Sequence, residues 1–203
     1  MTIQQLNKFL GNIDLYLLDQ ILKNNIDKKS KILDAGCGEG RNLIYFLNNE
    51  FDVRGIDQNP DAIRMLQFIV GSSFPDCPKN RFEVGELSHL SYQNDQFDYL
   101  ICSAVLHFAR SQEHFWQMFK ELDRVLAKEG VMFIRMTSDI GLTGHLKLDN
   151  QLFQLPDGSQ RFLITQEIIQ TILQDFGYAK IEPVKTVIVD NQRCMTTLVL
   201  KKN

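Results

Sequence analysis

The sequence predicts a doubly wound α/β protein: a seven-stranded mixed sheet with helices on both faces and a C-terminal antiparallel hairpin. Three observations predict it. Short apolar runs alternate with stretches of helical periodicity, the pattern of a parallel sheet crossed by helices. The first apolar run, Lys31-Ile32-Leu33-Asp34-Ala35, empties into three alternating glycines, 36, 38 and 40, as a strand does when it turns straight into a helix. Near the end of the chain, two β-rich runs flank Asp190-Asn191-Gln192-Arg193, a connection so short that it implies a hairpin.

The elements follow in order. Ile3, Leu6, Phe9, Leu10 and Ile13 recur at helical spacing, continued by Leu17, Ile21 and Leu22, with a break expected at Gly11-Asn12. After the strand at 31–35, residues 41–49 (RNLIYFLNN) read as a helix and residues 52–57 (DVRGID) as a second strand. Pro60 suits the first turn of a helix over 61–70. Residues 81–84 and 97–102 read as the third and fourth strands. Residues 111–127 form an amphipathic helix that Lys128-Glu129-Gly130 should stop, and 131–136 is a fifth strand. Thr165 caps a further helix that ends at Gly177. Residues 185–190 and 194–200 make the hairpin. The stretch 138–160 is the one sizeable insertion, expected to help close a pocket.

Composition narrows the function. The 203 residues are 44% hydrophobic and 23% charged, with a net charge of −3 and a pI of about 5.8. Such a balance argues against a protein that binds chiefly through phosphate contacts, so a nucleic-acid partner is not expected. No apolar run is long enough to span a membrane, and the N-terminal residues lack the pattern of a signal peptide. The cysteines, Cys37, Cys77, Cys102 and Cys194, form no CxxC pair and have no histidine at metal-ligand spacing. They read as reduced thiols of a cytoplasmic protein, and no metal site is expected.

The strongest chemical signal is Ile32 to Asn42. Glycines in the turn let a ligand approach the backbone, and the amides of the next helix face that ligand. Asp57, at the end of the second strand, is placed to accept hydrogen bonds from ribose hydroxyls. The spacing is G-x-G-x-G, where a dinucleotide fold prefers G-x-G-x-x-G, and Glu39 inside the turn would repel a pyrophosphate while tolerating a sulfonium or an ammonium. Bland readings stand beside these. A cap of the Pro60 helix is the lesser alternative for Asp57, His107 lies in an apolar stretch that suits a packed ring, and Trp116 reads as core.

The segments ILDAGCGEGRN, GIDQNPDAI, FEVGEL and FDYLICSAVLHF occur in this order. The series resembles the motifs of class I S-adenosylmethionine-dependent methyltransferases across residues 31–136, and the terminal hairpin is similar to that family's reversed last strand. NIDLYLLDQIL, FIRMTSDIG, LPDGSQRFLIT and DNQRCMTTLVL resemble an uncharacterised, small-molecule-type subgroup. The resemblance implies a Rossmann-like methyltransferase domain over 1–203, with 1–28 as an N-terminal helical cap and 29–203 as the α/β core. It implies S-adenosylmethionine as cofactor. Gly36, Cys37 and Gly38 would pass its methionine and ribose parts along the main chain, and Asp34 beneath them would receive its amino group. Asp57 would hold the ribose and Gln58 would lie against the adenine. Glu86 and Leu87 would hold the adenine edge and face, although many relatives carry Asp where Glu86 stands. Ser103 would face the methionine part and Arg41 its carboxylate.

Methyl transfer needs alignment and exclusion of water more than a catalytic triad. For the acceptor, the loops after the strands are the place to look: residues 103–108, where His107 is the candidate proton acceptor, residues 137–140, and residues 12–16. Arg135, Arg161 and Arg193 would suit an anionic acceptor, with surface or structural pairing the plainer reading of each. A small-molecule acceptor is expected. The alternatives are an RNA or protein acceptor, a nicotinamide-dependent oxidoreductase, and a non-catalytic domain that keeps the cofactor pocket. The oligomeric state is not legible.

Overall fold

The computed structural model describes residues 1–141, 143–144, 146–148 and 152–203. Strands β1 (Lys31–Ala35), β2 (Asp52–Asp57), β3 (Phe82–Val84), β4 (Phe97–Ser103) and β5 (Leu126–Thr137) pair in parallel in the order β5-β4-β1-β2-β3. A small antiparallel sheet of β6 (Leu146–Lys147), β7 (Leu152–Gln154) and β8 (Gln160–Phe162) stands apart from them. Strands β9 (Tyr178–Lys180), β10 (Lys185–Val189) and β11 (Arg193–Lys202) close the main sheet, with β11 antiparallel to β5 and to β10. The seven-strand path matches the sequence expectation. An eighth strand, β9, pairs antiparallel with the far end of β11 and shares its β10 side.

The central strands are covered on both faces, which is why they read as unbroken apolar runs. Alternate residues of each strand enter opposite cores. Leu33, Leu100, Cys102, Met132 and Ile134 pack with α5 (Gln112–Val125) and α6 (Gln166–Asp175). Ile32, Tyr99, Ile101 and Phe133 pack with α2 (Leu15–Leu22), α3 (Ile44–Asn48) and α4 (Pro60–Ser73). The first helix, α1 (Ile3–Leu10), opens on a capping box between Thr2 and Gln5 and is tied to α3 by the Asn48 amide, which donates to the Phe9 carbonyl at 2.8 Å.

Several boundaries move. The turn at 38–43 delays α3 to Ile44. Lys128-Glu129-Gly130 does not stop α5, which ends at Val125; the chain enters β5 at once because Leu126 pairs with Phe97. Glu129 adopts φ +64°, and the β4–β5 register shifts there, the signature of a bulge. The small sheet lies largely in the 138–160 insertion, of which residues 142, 145 and 149–151 fall outside the described residues, so the expected pocket closure is described only in part.

Trp116 belongs to packing, as the plainer reading had it: its ring stacks on Phe176 at 5.6 Å and 8°. Phe119 is fully buried beside it, edge-on to Trp116, Phe176 and Tyr178, and joins α5 to α6 and β9. Phe119→Ala is therefore expected to cost about 3–5 kcal/mol. Urea unfolding checks it: the midpoint should fall while the slope stays unchanged.

Candidate active site

The glycine loop is fastened to the end of β2. The N–H groups of Gly36 and Cys37 both donate to the Ile56 carbonyl, at 2.8 and 3.0 Å. Gly36 has φ +83°, and a Cβ there would lie 2.2 Å from Cγ2 of Val105, so the position is closed to a side chain twice over. One residue further along β2, the Asp57 carboxylate accepts from the Gly38 N–H at 2.8 Å and, through its other oxygen, from the Asn59 N–H at 2.9 Å. Asp57 is not the cap of α4; Asn59 is, accepting from the N–H groups of Asp61 and Ala62.

Asp34 lies beneath this loop. It is 1% exposed, and neither carboxylate oxygen has a hydrogen-bond partner. Burial pushes its pKa up to about 7; the Arg41 guanidinium opposes the shift and the Asp57 charge adds to it. The Cys37 side chain turns away from the loop's open side. Its Sγ packs so close to Gly55 that a Cβ there would meet it at 2.8 Å, and burial raises its thiol pKa.

A cavity of about 300 Å³ opens beside the loop at the C-terminal ends of β1, β2 and β4. The order of strands reverses between β1 and β4, and ligands bind open α/β sheets at such points. Of the residues singled out in the sequence, Gly36, Asp57, Gln58, Glu86 and Leu87 line this cavity. Phe108, Arg110, His114 and Met118 line it too. Of these, Arg110, His114 and Met118 escape a reading of motifs. His114 and Met118, four apart, share one face of α5, and Arg110 stands just before its Ser111 cap, its N–H donating to His114 Nδ1 at 3.1 Å.

Arg41 and Ser103 belong to a second cluster, gathered around Asp14. This aspartate is 5% exposed and caps α2 through the N–H groups of Tyr16 and Leu17. Its other oxygen accepts from the Ser103 hydroxyl at 3.2 Å and pairs with Arg135 at 3.2 Å and Arg41 at 3.9 Å. Its own N–H donates to the Asn42 side chain at 3.0 Å. Asp14 thus pins the N-terminal segment to the turn that follows the glycine loop and to the ends of β4 and β5.

His107 stands in a short 3-10 turn, Leu106–Phe108, and is 6% exposed. Its Nδ1 accepts the Thr137 backbone N–H at 3.3 Å, so the proton of the neutral ring sits on Nε2. Burial, with the positive charges of Arg161, Arg193 and Arg135 behind it, pushes the pKa down to about 4. This geometry does not suit the role of proton acceptor that the sequence suggested: the one acceptor nitrogen is already engaged, and the ring is a weak base near neutrality. Among the described residues, no group of three or more His, Cys, Asp or Glu side chains is placed to hold a metal, and no helix is long and apolar enough to cross a membrane.

A family model described as a methyltransferase domain matches residues 26–177. The provisionally named methyltransferase YqeM of Bacillus subtilis (strain 168) is 28% identical over 118 residues, which cover 58% of this chain and 46% of that protein. The ribosomal RNA large subunit methyltransferase G of Colwellia psychrerythraea is 30% identical over 124 residues, covering 59% of this chain and 31% of that one. The chain spans less than half the length of each of these relatives. Among solved structures, a SAM-dependent methyltransferase from Methanosarcina mazei superposes with a TM-score of 0.71 at 22% identity, over 90% of this chain and 96% of that one, a likeness of fold.

The state of His107 has a measurable consequence. Its folded pKa lies below the ordinary 6.5, so its contribution to stability is whole above pH 6.5 and is lost as pH falls through about 4. The loss is of order 3 kcal/mol. His107→Asn should flatten the acid limb of a stability profile measured by urea unfolding between pH 7 and 4, at some cost in stability at neutral pH.

Proposed function

The chain belongs to the methyltransferase domain family, and on that basis we propose that it transfers a methyl group from S-adenosylmethionine to a small-molecule acceptor. The observation that carries this reading is Asp34, a buried carboxylate without a hydrogen-bond partner beneath the glycine loop, beside a cavity lined by a second carboxylate. A ligand with an ammonium group at one end and a ribose in the middle answers both.

The residues fit that cofactor at each part. Asp34 would take the amino group, directly or through water. Gly36, Cys37 and Gly38 would present main-chain groups to the methionine and ribose parts, with Val105 close against Gly36 leaving no room for a side chain. Asp57 would accept from the ribose hydroxyls, in part exchanging the Gly38 N–H it now holds. Gln58, Glu86 and Leu87 would enclose the adenine. Ser103 and Arg41 would face the methionine end, where Arg41 would meet the carboxylate; both already surround the Asp14 carboxylate.

When bound, the cofactor supplies a methyl group on a sulfonium, a carbon already activated toward displacement. The chain's own work is then to orient the two partners and exclude water. Residues 1–28 would serve as a cap over the cofactor, held through Asp14, with 29–203 as the α/β core. His107, with Nδ1 engaged, would act as a hydrogen-bond donor rather than a base. The four cysteines are unpaired, in keeping with a cytoplasmic, reducing setting. A ribosomal RNA acceptor is the second reading, favoured by the two relatives named as large-subunit rRNA methyltransferases.

Calorimetric titration tests the cofactor assignment. S-adenosylmethionine and S-adenosylhomocysteine should both bind the wild-type chain and lose at least tenfold in affinity to Asp57→Ala, the expected cost of one or two hydrogen bonds to a charged acceptor, about 1.5–3 kcal/mol each. No binding of either ligand to the folded wild type overturns the proposal.

Asp34 adds a signature in pH. Its folded pKa is raised, so in the free protein its contribution to stability is present below pH 3.8 and lost as pH rises through about 7. An ammonium beside it favours the ionised form, so binding near pH 7 should release protons and tighten as pH rises from 6 to 8. Titration in buffers of different ionisation enthalpy reads this release, and Asp34→Asn should abolish it.

A further inference from the structure

Three arginines from separate elements lie about the C-terminal end of β5, one of them against a wall of the cavity, and the cofactor reading makes use of none of them. Arg135 is in β5, opposite Ser103 of β4 and Thr197 of β11. Arg193 opens β11; it lies two residues beyond Met195, the partner of Thr137, and so beyond the C-terminal end of β5. Arg161 is in β8, which the bridge between Ser138 and Ile164 ties to the same end of β5. The Arg161 guanidinium stands 4.9 Å from the centre of the Phe108 ring. Phe108 is 56% exposed and lines the cavity that Asp57 and Leu87 also line.

Their pairing is unequal. Arg135 is neutralised by Asp14. Arg161 donates to the Gln160 carbonyl, and neither it nor Arg193 forms an ion pair within 4 Å among the described residues. Asp157 feels both charges and balances them in part; the hydroxyl and N–H of Ser159 both bond one oxygen of its carboxylate, at 2.6 and 2.9 Å. Burial keeps the His107 ring uncharged, and the charges of all three arginines add to that effect. Arg161 and Arg193 bring two positive charges against the single nearby carboxylate of Asp157, and an anion taken up there offsets the excess. A guanidinium beside an exposed aromatic ring offers a planar fork for an oxyanion next to an apolar surface.

We propose that the methyl acceptor is a small molecule bearing a carboxylate or phosphate ester, its oxyanion held by Arg161 and Arg193 and its apolar body laid on Phe108. The inference rests on the methyl-transfer reading above and adds the chemical class of the acceptor. The arginines are confined to one end of β5, and the chain carries a net charge of −3, which favours a compact anion over an RNA backbone.

The test uses the whole chain with three probes of one shape: benzoate, phenyl phosphate and neutral benzamide. Binding is read by ligand-observed NMR with and without S-adenosylhomocysteine. At least one of the anions should bind measurably more tightly than benzamide, and the tighter of the two identifies the oxyanion. Arg161→Gln and Arg193→Gln should each weaken that anion by roughly tenfold or more. Arg161→Lys keeps the charge without the fork and should fall between. Arg64→Gln, in an exposed pair on α4, should change nothing. The proposal is overturned if neither anion binds, if both bind no better than benzamide, or if the two glutamine variants leave them unaffected. Arginine-dependent binding of a single-stranded RNA oligonucleotide, with no binding of either small anion, would also overturn it and favour the nucleic acid. Failure of the cofactor reading appears separately, as absence of S-adenosylhomocysteine binding; arginine-dependent anion binding would then keep the anion site and remove its role as an acceptor site.

Discussion

The carbonyl of Ile56 and the carboxylate of Asp57 fix the position of the whole candidate site. Two consecutive residues of one strand take three N–H groups from the loop that follows the neighbouring strand. Backbone amides that would otherwise face solvent at a tight turn are thereby satisfied by the sheet itself. The loop inherits the rigidity of β1 and β2, whose residues are buried on both faces. A carboxylate that now bonds a loop amide is also a preformed acceptor for a ligand hydroxyl, so occupation of the site would exchange one bond for another with little reorganisation.

Asp14 imposes a second constraint. Removing a carboxylate from water is costly, and here the cost is offset by two helix N–H groups, a hydroxyl and two guanidinium groups on a single side chain. The arrangement is strong only while all members are present, because Arg135 is half-buried and carries a further unpartnered nitrogen. The N-terminal segment is therefore joined to the ends of β4 and β5 electrostatically. Under the cofactor reading proposed above, covering the site and recognising its ligand would be tasks for the same few charges.

The parallel core was legible in the sequence because its strands are buried on both faces, so each appears as an apolar run closed by Gly, Asp or Ser. The glycine loop was legible because its conformation demands glycine at Gly36. What escaped notice is short or distant. Strands β6, β8 and β9 have two or three residues each, below the length at which a period of two can be recognised. The role of Asp14 depends on partners such as Ser103, 89 residues away, and local pattern carries no trace of that. His107 stands out in the sequence by its place after β4, but its tautomer is set by the backbone of Thr137, 30 residues away, and local pattern shows nothing of that. The arginines were visible singly; only the antiparallel return of β11 and the small sheet bring them to the same end of β5.

The outer border of the sheet beside β11 is built from two pieces. Strands β9 and β10 both pair with β11 and are parted at residues 181–184, where Pro183 cannot donate to a ladder. Glu182 in this gap pairs with Lys23 and Lys185, placing fixed charge where backbone pairing lapses. Ile188 and Val189 are exposed on β10 and would by themselves invite another strand. Because the border is interrupted and charged at its middle, an incoming chain finds no more than five residues in register before the template ends. The broken edge thus guards against amyloid-like stacking at a flank where a continuous ten-residue partner to β11 would have promoted it.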